Sequence, residues 1–99
     1  MREDFWVYMA TNKTGTVLDC GVTNDLQRRM WEHKNRTSPK SFTARYSVYR
    51  LVWYERFPTA LEAIACEKHI KGLTRAKKDA MICQQNPRWD DLSEAWEYF

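Results

Sequence analysis

Residues 5–21 read FWVYMATNKTGTVLDCG. The opening FWVYMA (5–10) is aromatic, β-branched or otherwise apolar, the composition of a strand. TNKTGT (11–16) is a turn by composition, with Gly15 available for a positive φ. VLDCG (17–21) returns as a second strand, so the stretch predicts a β-hairpin. One residue resists this pattern. Asp19 lies inside the second strand, where a short side chain that prefers turns and caps is disfavoured.

Outward from the hairpin, Thr23 and Asn24 are N-cap types and DLQRRMWEHKN (25–35) predicts a helix, with Asp25 in its first turn. Leu26 and Met30, four apart, can face a core. RTSPKSFTAR (36–45) is polar and broken by Pro39, a loop with room for one short helical turn at 40–44. SVYRLVWYERF (47–57) is the strongest strand signal in the chain, and Pro58 ends it. Thr59 and Glu62 form a capping box for a helix that runs to Gly72. Thr74 caps a last helix, RAKKDAMICQQ (75–85), stopped by Asn86-Pro87. Leu92, Trp96 and Phe99 have helical spacing and predict a tail that packs back on the body. The order β-β-α-β-α-α predicts an α+β fold, a small three-stranded antiparallel sheet flanked by helices.

Ninety-nine residues suit one domain over 1–99, with one core. The chain is 43% hydrophobic and 14% aromatic, enough to fold. Sixteen Lys+Arg against 13 Asp+Glu give a net charge of +3, which permits a polyanionic partner and does not require one. No apolar run approaches the ~20 residues of a membrane span, and MREDFW is too charged for a signal peptide. A cytoplasmic protein is expected. Cys20, Cys66 and Cys83, odd in number and without CxxC spacing, predict reduced thiols, at least partly buried.

Several side chains could carry chemistry. Arg29 and His33 stand four apart and share a helix face, whereas Arg28 lies about 100° away. A guanidinium beside an imidazole suits a phosphodiester, although a solvated basic face has the same spacing. Glu67 falls on the stripe Ala60, Ala63, Ile64, Glu67, Ile70 and is expected to point inward. There it would hold a divalent ion such as Mg²⁺ or pair with a Lys or Arg. Cys66 and His69, three apart, are a weaker two-ligand candidate. Tyr8, Tyr46, Tyr49 and Tyr54 are read as packing residues, with the Tyr8 phenol within reach of a site beside the hairpin. Basic residues gather at Lys34, Arg36, Lys40 and Arg45, and again at Lys68, Lys71, Arg75, Lys77 and Lys78. With Trp31, Phe42 and Tyr46 nearby, these groups could neutralise phosphates and stack on bases.

These pieces, in this order, resemble the GIY-YIG nuclease superfamily, closest to its small single-domain bacterial branch. The resemblance rests on WVYMATNKTGTVLDCGVTNDLQRRMWEHKN, FTARYSVYRLVWYERFPTALEAIACEKHIKG and NPRWDDL, and covers roughly residues 5–92. It implies hydrolysis of DNA phosphodiesters with one divalent metal, Mg²⁺ or Mn²⁺. The first signature falls on Val7-Tyr8, with Trp6 in place of its glycine. The resemblance carries the catalytic arginine to Arg29, the polar residue one turn later to His33 and the metal-binding glutamate to Glu67. The asparagine that helps order the site matches Asn86. The second signature falls on Asp19-Cys20-Gly21, so Asp19 replaces the tyrosine that lies near the attacking water.

Three explanations fit that replacement: an engineered disarming, a natural substitute base, or a natural pseudoenzyme that still binds nucleic acid. An aspartate is ionised at neutral pH where a phenol is not, but it reaches several ångströms less far and places negative charge near an incoming phosphate. Impaired cleavage is expected. The expected DNA contacts are Arg28, Lys34, Arg36, Lys40, Phe42, Arg45, Tyr46 and Lys71, and the aromatic and basic stretch 36–46 favours unpaired strands over duplex. The alternative function is a catalytically inactive nucleic-acid-binding module on the same fold. A protein-interaction domain built on SEAWEYF (93–99) is a third, weaker reading.

Overall fold

The computed structural model describes residues 4–35, 47–94 and 96. Its elements run β1 (Phe5–Thr11), β2 (Leu18–Thr23), α1 (Leu26–Asn35), β3 (Arg50–Phe57), α2 (Ala60–Lys71) and α3 (Arg75–Gln85). The three strands pair antiparallel in the order β2-β1-β3, so β1 is central and β2 and β3 are the edges. The α+β expectation and its element order hold. The predicted features of 36–46, including the short helical turn, lie outside the described residues.

The hairpin turn is tied by its own side chains. Asn12 Oδ1 accepts from Val17 N at 3.0 Å, and Thr11 Oγ1 donates to the Val17 carbonyl at 2.7 Å. Gly15 takes φ +73°, the conformation that favours glycine. Register follows from the turn: Tyr8 pairs with Gly21 and Ala10 with Asp19. Because directly paired residues share a face, Asp19 lies on the side of Tyr8 and Ala10.

Alternation along β1 divides the core in two. Val7 and Met9 pack with Val52, Trp53, Ala63, Ile70 and Ile82 beneath α2 and α3. Tyr8 and Ala10 pack with Leu26, Met30, Val48 and Leu51 beneath α1. Leu92 and Trp96 close over this second face, and Trp96 meets Tyr54 edge-on at 6.1 Å. Leu92 and Trp96 therefore pack back as expected, but residues 92–94 form turns and not a helix, and Phe99 lies outside the described residues.

Helix ends obey their caps with one correction. Asp25, expected in the first turn, is itself the cap of α1: its carboxylate accepts from Arg28 N at 3.1 Å. The Thr59–Glu62 box closes reciprocally, at 3.3 Å to Glu62 N and 2.9 Å back to its carboxylate. Thr74 accepts from Lys77 N at 3.2 Å. β3 begins at Arg50 and not at 47, because Ser47 adopts φ 56°, a turn conformation that interrupts the extended run. Along α2 the buried stripe is narrower than expected: Ala63 and Ile70 are buried, but Ile64 is 38% exposed. Cys20 and Cys66 are half-buried, whereas Cys83 is exposed, and all three are free thiols.

Candidate active site

Tyr8 supplies the centre. Its ring is fully buried and lies across Gly21 on the neighbouring strand. A Cβ at position 21 would fall 2.5 Å from the Tyr8 phenol oxygen, so the glycine is required by that overlap. From α1, Arg29 Nε donates to the Tyr8 phenol oxygen at 3.0 Å. His33, one turn on, meets the Tyr8 ring edge-on with centroids 5.8 Å apart. The shared face expected of Arg29 and His33 is thus directed at Tyr8. Arg28, on another face, is exposed.

Burial and charge set the protonation states. Burial pushes the Tyr8 phenol above its ordinary range, with the Arg29 guanidinium acting the other way. His33 is 3% exposed, and neither ring nitrogen has a hydrogen-bond partner among the described residues. Burial first, and the Arg29 charge second, lower its pKa to about 4, so the ring is neutral at neutral pH; the Val48 backbone favours protonation only weakly.

Asp19 lies in the same field. Desolvation raises its carboxyl and the nearby Glu67 charge adds to this, while Arg29 and Lys71 oppose both. Two cations, one from α1 and one from α2, therefore offset its partial burial only in part, and the carboxyl stays raised.

Glu67, on α2, has a side chain only 17% exposed, and its carboxylate lies 3.5 Å from the Lys71 ammonium. Asp19, Lys71 and Lys78 line a cavity of about 290 Å³ with Leu18 and Cys20. The Cys20 thiol is pushed up to about 12, mainly by burial, and remains protonated. Among the described residues no group of three or more His, Cys, Asp or Glu could hold a metal ion, and His69 is exposed. Carboxylate oxygens are hard donors. Glu67 therefore suits Mg²⁺ or Mn²⁺ bound largely through water and substrate phosphate, and not a softer, fully protein-ligated ion.

The remaining expected site residues are placed differently. Asn86, which caps α3, is buried and fully engaged: its amide donates to the Val52 carbonyl at 3.1 Å and the Asp90 carbonyl at 2.8 Å, and its oxygen accepts from Asp90 N at 3.1 Å. It ties the turn that follows α3 to β3 and does not touch Tyr8 or Arg29 through these bonds. Lys34 is no free phosphate ligand here, because its ammonium is 2.6 Å from the Asp91 carboxylate. Lys71 is committed to Glu67. Arg36, Lys40, Phe42, Arg45 and Tyr46 lie outside the described residues. Sequence reasoning did not single out Asp91, whose partners Lys34 and Leu51 stand far away along the chain.

The site thus joins a buried tyrosine held by a helix arginine, a glycine beneath its ring and, on the following helix, a carboxylate. The match to the GIY-YIG catalytic domain family spans residues 4–80, and the chain belongs to the family. Within it, the chain is similar to UPF0213 proteins. One from Vibrio parahaemolyticus is 33% identical over 81 residues, covering 81% of this chain and 74% of the relative. One from Natronomonas pharaonis is 34% identical over 85 residues, covering 86% and 98%. A UPF0213 protein from Bacillus halodurans, solved by solution NMR, is 25% identical with a TM-score of 0.57, covering 95% of this chain and 99% of its own. The family match ends before Asn86, short of the span 5–92 expected from the sequence. No helix among the described residues is long and apolar enough to cross a membrane.

Proposed function

We propose that the protein is a metal-dependent DNA endonuclease that hydrolyses phosphodiester bonds, with cleavage impaired by Asp19. The observation that carries this reading is the Arg29–Tyr8 hydrogen bond at 3.0 Å beside the buried His33 ring, which meets Tyr8 edge-on. Arg29 anchors its Nε on Tyr8, which aims the rest of the guanidinium at the charge that builds on phosphoryl oxygens. Tyr8 and the group at position 19 orient the attacking water. A neutral His33 with a pKa near 4 is a weak base at neutral pH, so its role is to orient by hydrogen bonding. A divalent cation held by Glu67 would supply Lewis-acid stabilisation of the leaving oxygen. Unpaired DNA is the proposed substrate, from the aromatic and basic composition of 36–46.

One observation favours a second reading, an inactive nucleic-acid-binding module: the Asp19 carboxylate stands in the field of both Arg29 and Lys71 and competes with phosphate for them. A cleavage assay on labelled single-stranded and duplex DNA with Mg²⁺ or Mn²⁺ separates the two. The nuclease reading expects the Asp19→Tyr form to cut faster than the original chain, and Glu67→Ala in that background to abolish metal-dependent cleavage. Binding without turnover in both forms establishes the inactive module. Undiminished cleavage after Glu67→Ala removes Glu67 from its role.

A further inference from the structure

The sheet face that carries Tyr8 continues into a second cavity. Trp6 is two residues from Tyr8 along β1, about 7 Å away, and Tyr54 on β3 is the direct cross-strand partner of Tyr8. Both rings therefore lie on the Tyr8 side of the sheet, and both pack with Trp96 around the core beneath α1. The Trp6 and Tyr54 centroids are 5.8 Å apart with the rings at 62°, and those of Tyr54 and Trp96 are 6.1 Å apart at 69°. These edge-on contacts brace the three rings without stacking either pair face to face. The rings line a cavity of about 290 Å³, bounded elsewhere by Leu26 and by polar residues at the start of α1. That volume lies at the lower end of small-ligand pockets, roughly 300–1,000 Å³. All three rings are half-buried. Their supports are fixed. The Gln85 amide accepts from Tyr54 N at 3.1 Å and donates to the Tyr54 carbonyl at 2.9 Å, and Trp96 N donates to the carbonyl of buried Ser93 at 3.1 Å.

We propose that this cavity takes one unpaired nucleobase from the DNA strand whose phosphodiester lies at Tyr8 and Arg29. The inference rests on the nuclease reading only in placing a phosphodiester there. Charge decides which part of a nucleotide enters. No lysine or arginine lines the cavity, and Asp25 presents a carboxylate, so a phosphate is repelled and a neutral ring is admitted. Aromatic side chains hold bases by stacking, whatever the sequence. The side-chain amides of Asn24 and Gln27 line the same cavity and have no hydrogen-bond partner among the described residues. Each amide offers donors beside an acceptor, the pairing that meets adenine N6 and N7. Three rings and a carboxylate also suit an organic ammonium ion, but that ligand would leave both amides idle and has no link to Tyr8. A base inside a duplex is stacked and paired and cannot enter, whereas an unpaired base can be splayed out. Trp6, which stands where the resembled signature has a glycine, supplies one wall of the pocket.

The test is a binding cycle read by fluorescence anisotropy, with EDTA present so that no strand is cut. Two labelled single strands of equal length are compared, one with ordinary bases and one whose sugars carry none. The proteins are the original chain, Trp96→Ala, Trp96→Phe and Asn24→Ala combined with Gln27→Ala, each checked for folding by circular dichroism. Phosphate attraction is common to both strands and cancels in the ratio of their affinities. The original chain is expected to bind the base-bearing strand roughly tenfold tighter than the abasic one, the scale of one stacked base. Trp96→Ala should remove most of that ratio and leave the abasic affinity unchanged, and Trp96→Phe should keep most of it. The exposed amide pair should lower the ratio roughly threefold, the scale of a hydrogen bond, and tests the pocket even if Trp96→Ala does not fold. A ratio near one in the original chain overturns the pocket, as does a ratio that no folded variant changes. Tetramethylammonium that shifts the tryptophan fluorescence through Trp96, with no dependence on bases, also overturns it and assigns the cavity to an organic cation. Base dependence of the expected pattern in a chain that cuts no DNA, even as Asp19→Tyr with Mg²⁺, keeps the pocket and defeats the nuclease reading. Metal-dependent cleavage by Asp19→Tyr with no base dependence of binding does the reverse.

Discussion

Two polar clusters touch α1, and they treat their hydrogen bonds in opposite ways. Around Asp91 every strong acceptor is used. One carboxylate oxygen accepts from Leu51 N at 3.2 Å, Ser93 N at 3.0 Å and Ser93 Oγ at 2.7 Å, and the other meets the Lys34 ammonium at 2.6 Å. Asn86 is satisfied in the same way by backbone groups of Val52 and Asp90. Around Tyr8 the balance is left open: both nitrogens of buried His33 lack partners among the described residues, and Arg29 gives Tyr8 only its Nε. A cluster that holds a fold together saturates its polar groups, because each unpaired one costs free energy. A buried cluster whose polar groups are not all used among the described residues keeps capacity that a ligand could take up.

The largest expected effect separates the clusters by what they damage. In the Asp19→Tyr background, Arg29→Ala should lower the cleavage rate by roughly 10²–10³, the loss typical of one oriented donor to transition-state charge. Its stability should fall by only about 1 kcal/mol, the loss of the single hydrogen bond to Tyr8, because Arg29 is half-exposed and its ion pair with Glu32 is long, at 3.8 Å. Single-turnover kinetics and urea unfolding on the same preparation read both quantities. A large stability loss with unchanged cleavage would place Arg29 with the structural cluster and erase the distinction.

Asp91→Ala should behave in the opposite sense. It strips partners from Leu51 N, Ser93 and Lys34 at once in a mostly buried setting, for a stability loss of about 3 kcal/mol. Urea unfolding measures it, and a change below about 1 kcal/mol would show that water replaces the carboxylate readily. The Asp91 pKa is held below the usual carboxylate range, mainly by the Lys34 and Ser93 hydrogen bonds against desolvation. Its contribution is therefore present at neutral pH and is lost only as pH falls through that depressed value.

Much of the architecture was legible because its signals are local. The hairpin, the Thr59–Glu62 box and the Asn86-Pro87 stop are each written within a few residues, and each stands in the structure. Misreadings arose where local types tie. Thr23, Asn24 and Asp25 are all good caps by type, and in the fold it is the Asp25 carboxylate that accepts from Arg28 N. Ile64 matches the apolar period of α2, yet the fold leaves it 38% exposed. The Tyr8–Arg29–His33 cluster was legible through the family resemblance and the four-residue spacing on α1, and not through Tyr8, whose strand position looks like ordinary packing. The Asp91 cluster was illegible, because Lys34, Leu51 and Asp91 are brought together only by the tertiary fold. The same holds for the approach of Lys71 to Asp19.

His33 gives the smallest of the three effects and the sharpest contrast. Its pKa falls from 6.5 to about 4 on folding, so between those values the unfolded chain binds the proton that the folded chain refuses. Stability should be indifferent to His33 above pH 6.5 and should fall on acidification toward pH 4, by about 2 kcal/mol. Asp19 acts against this trend: its raised carboxyl takes up a proton in the folded state first, which favours the fold as pH drops. The informative quantity is therefore the difference between the original chain and His33→Phe, measured by thermal unfolding at several pH values with Asp19 in place in both. His33→Phe should flatten the acid limb and, in the Asp19→Tyr background, should also cut DNA more slowly. A substitution that improves acid stability while it harms cleavage identifies an imidazole kept buried for its chemistry and against the interest of the fold. If the acid limb is unchanged, His33 finds a proton partner in the folded state, and the contrast between an open cluster and a saturated one fails at its central residue.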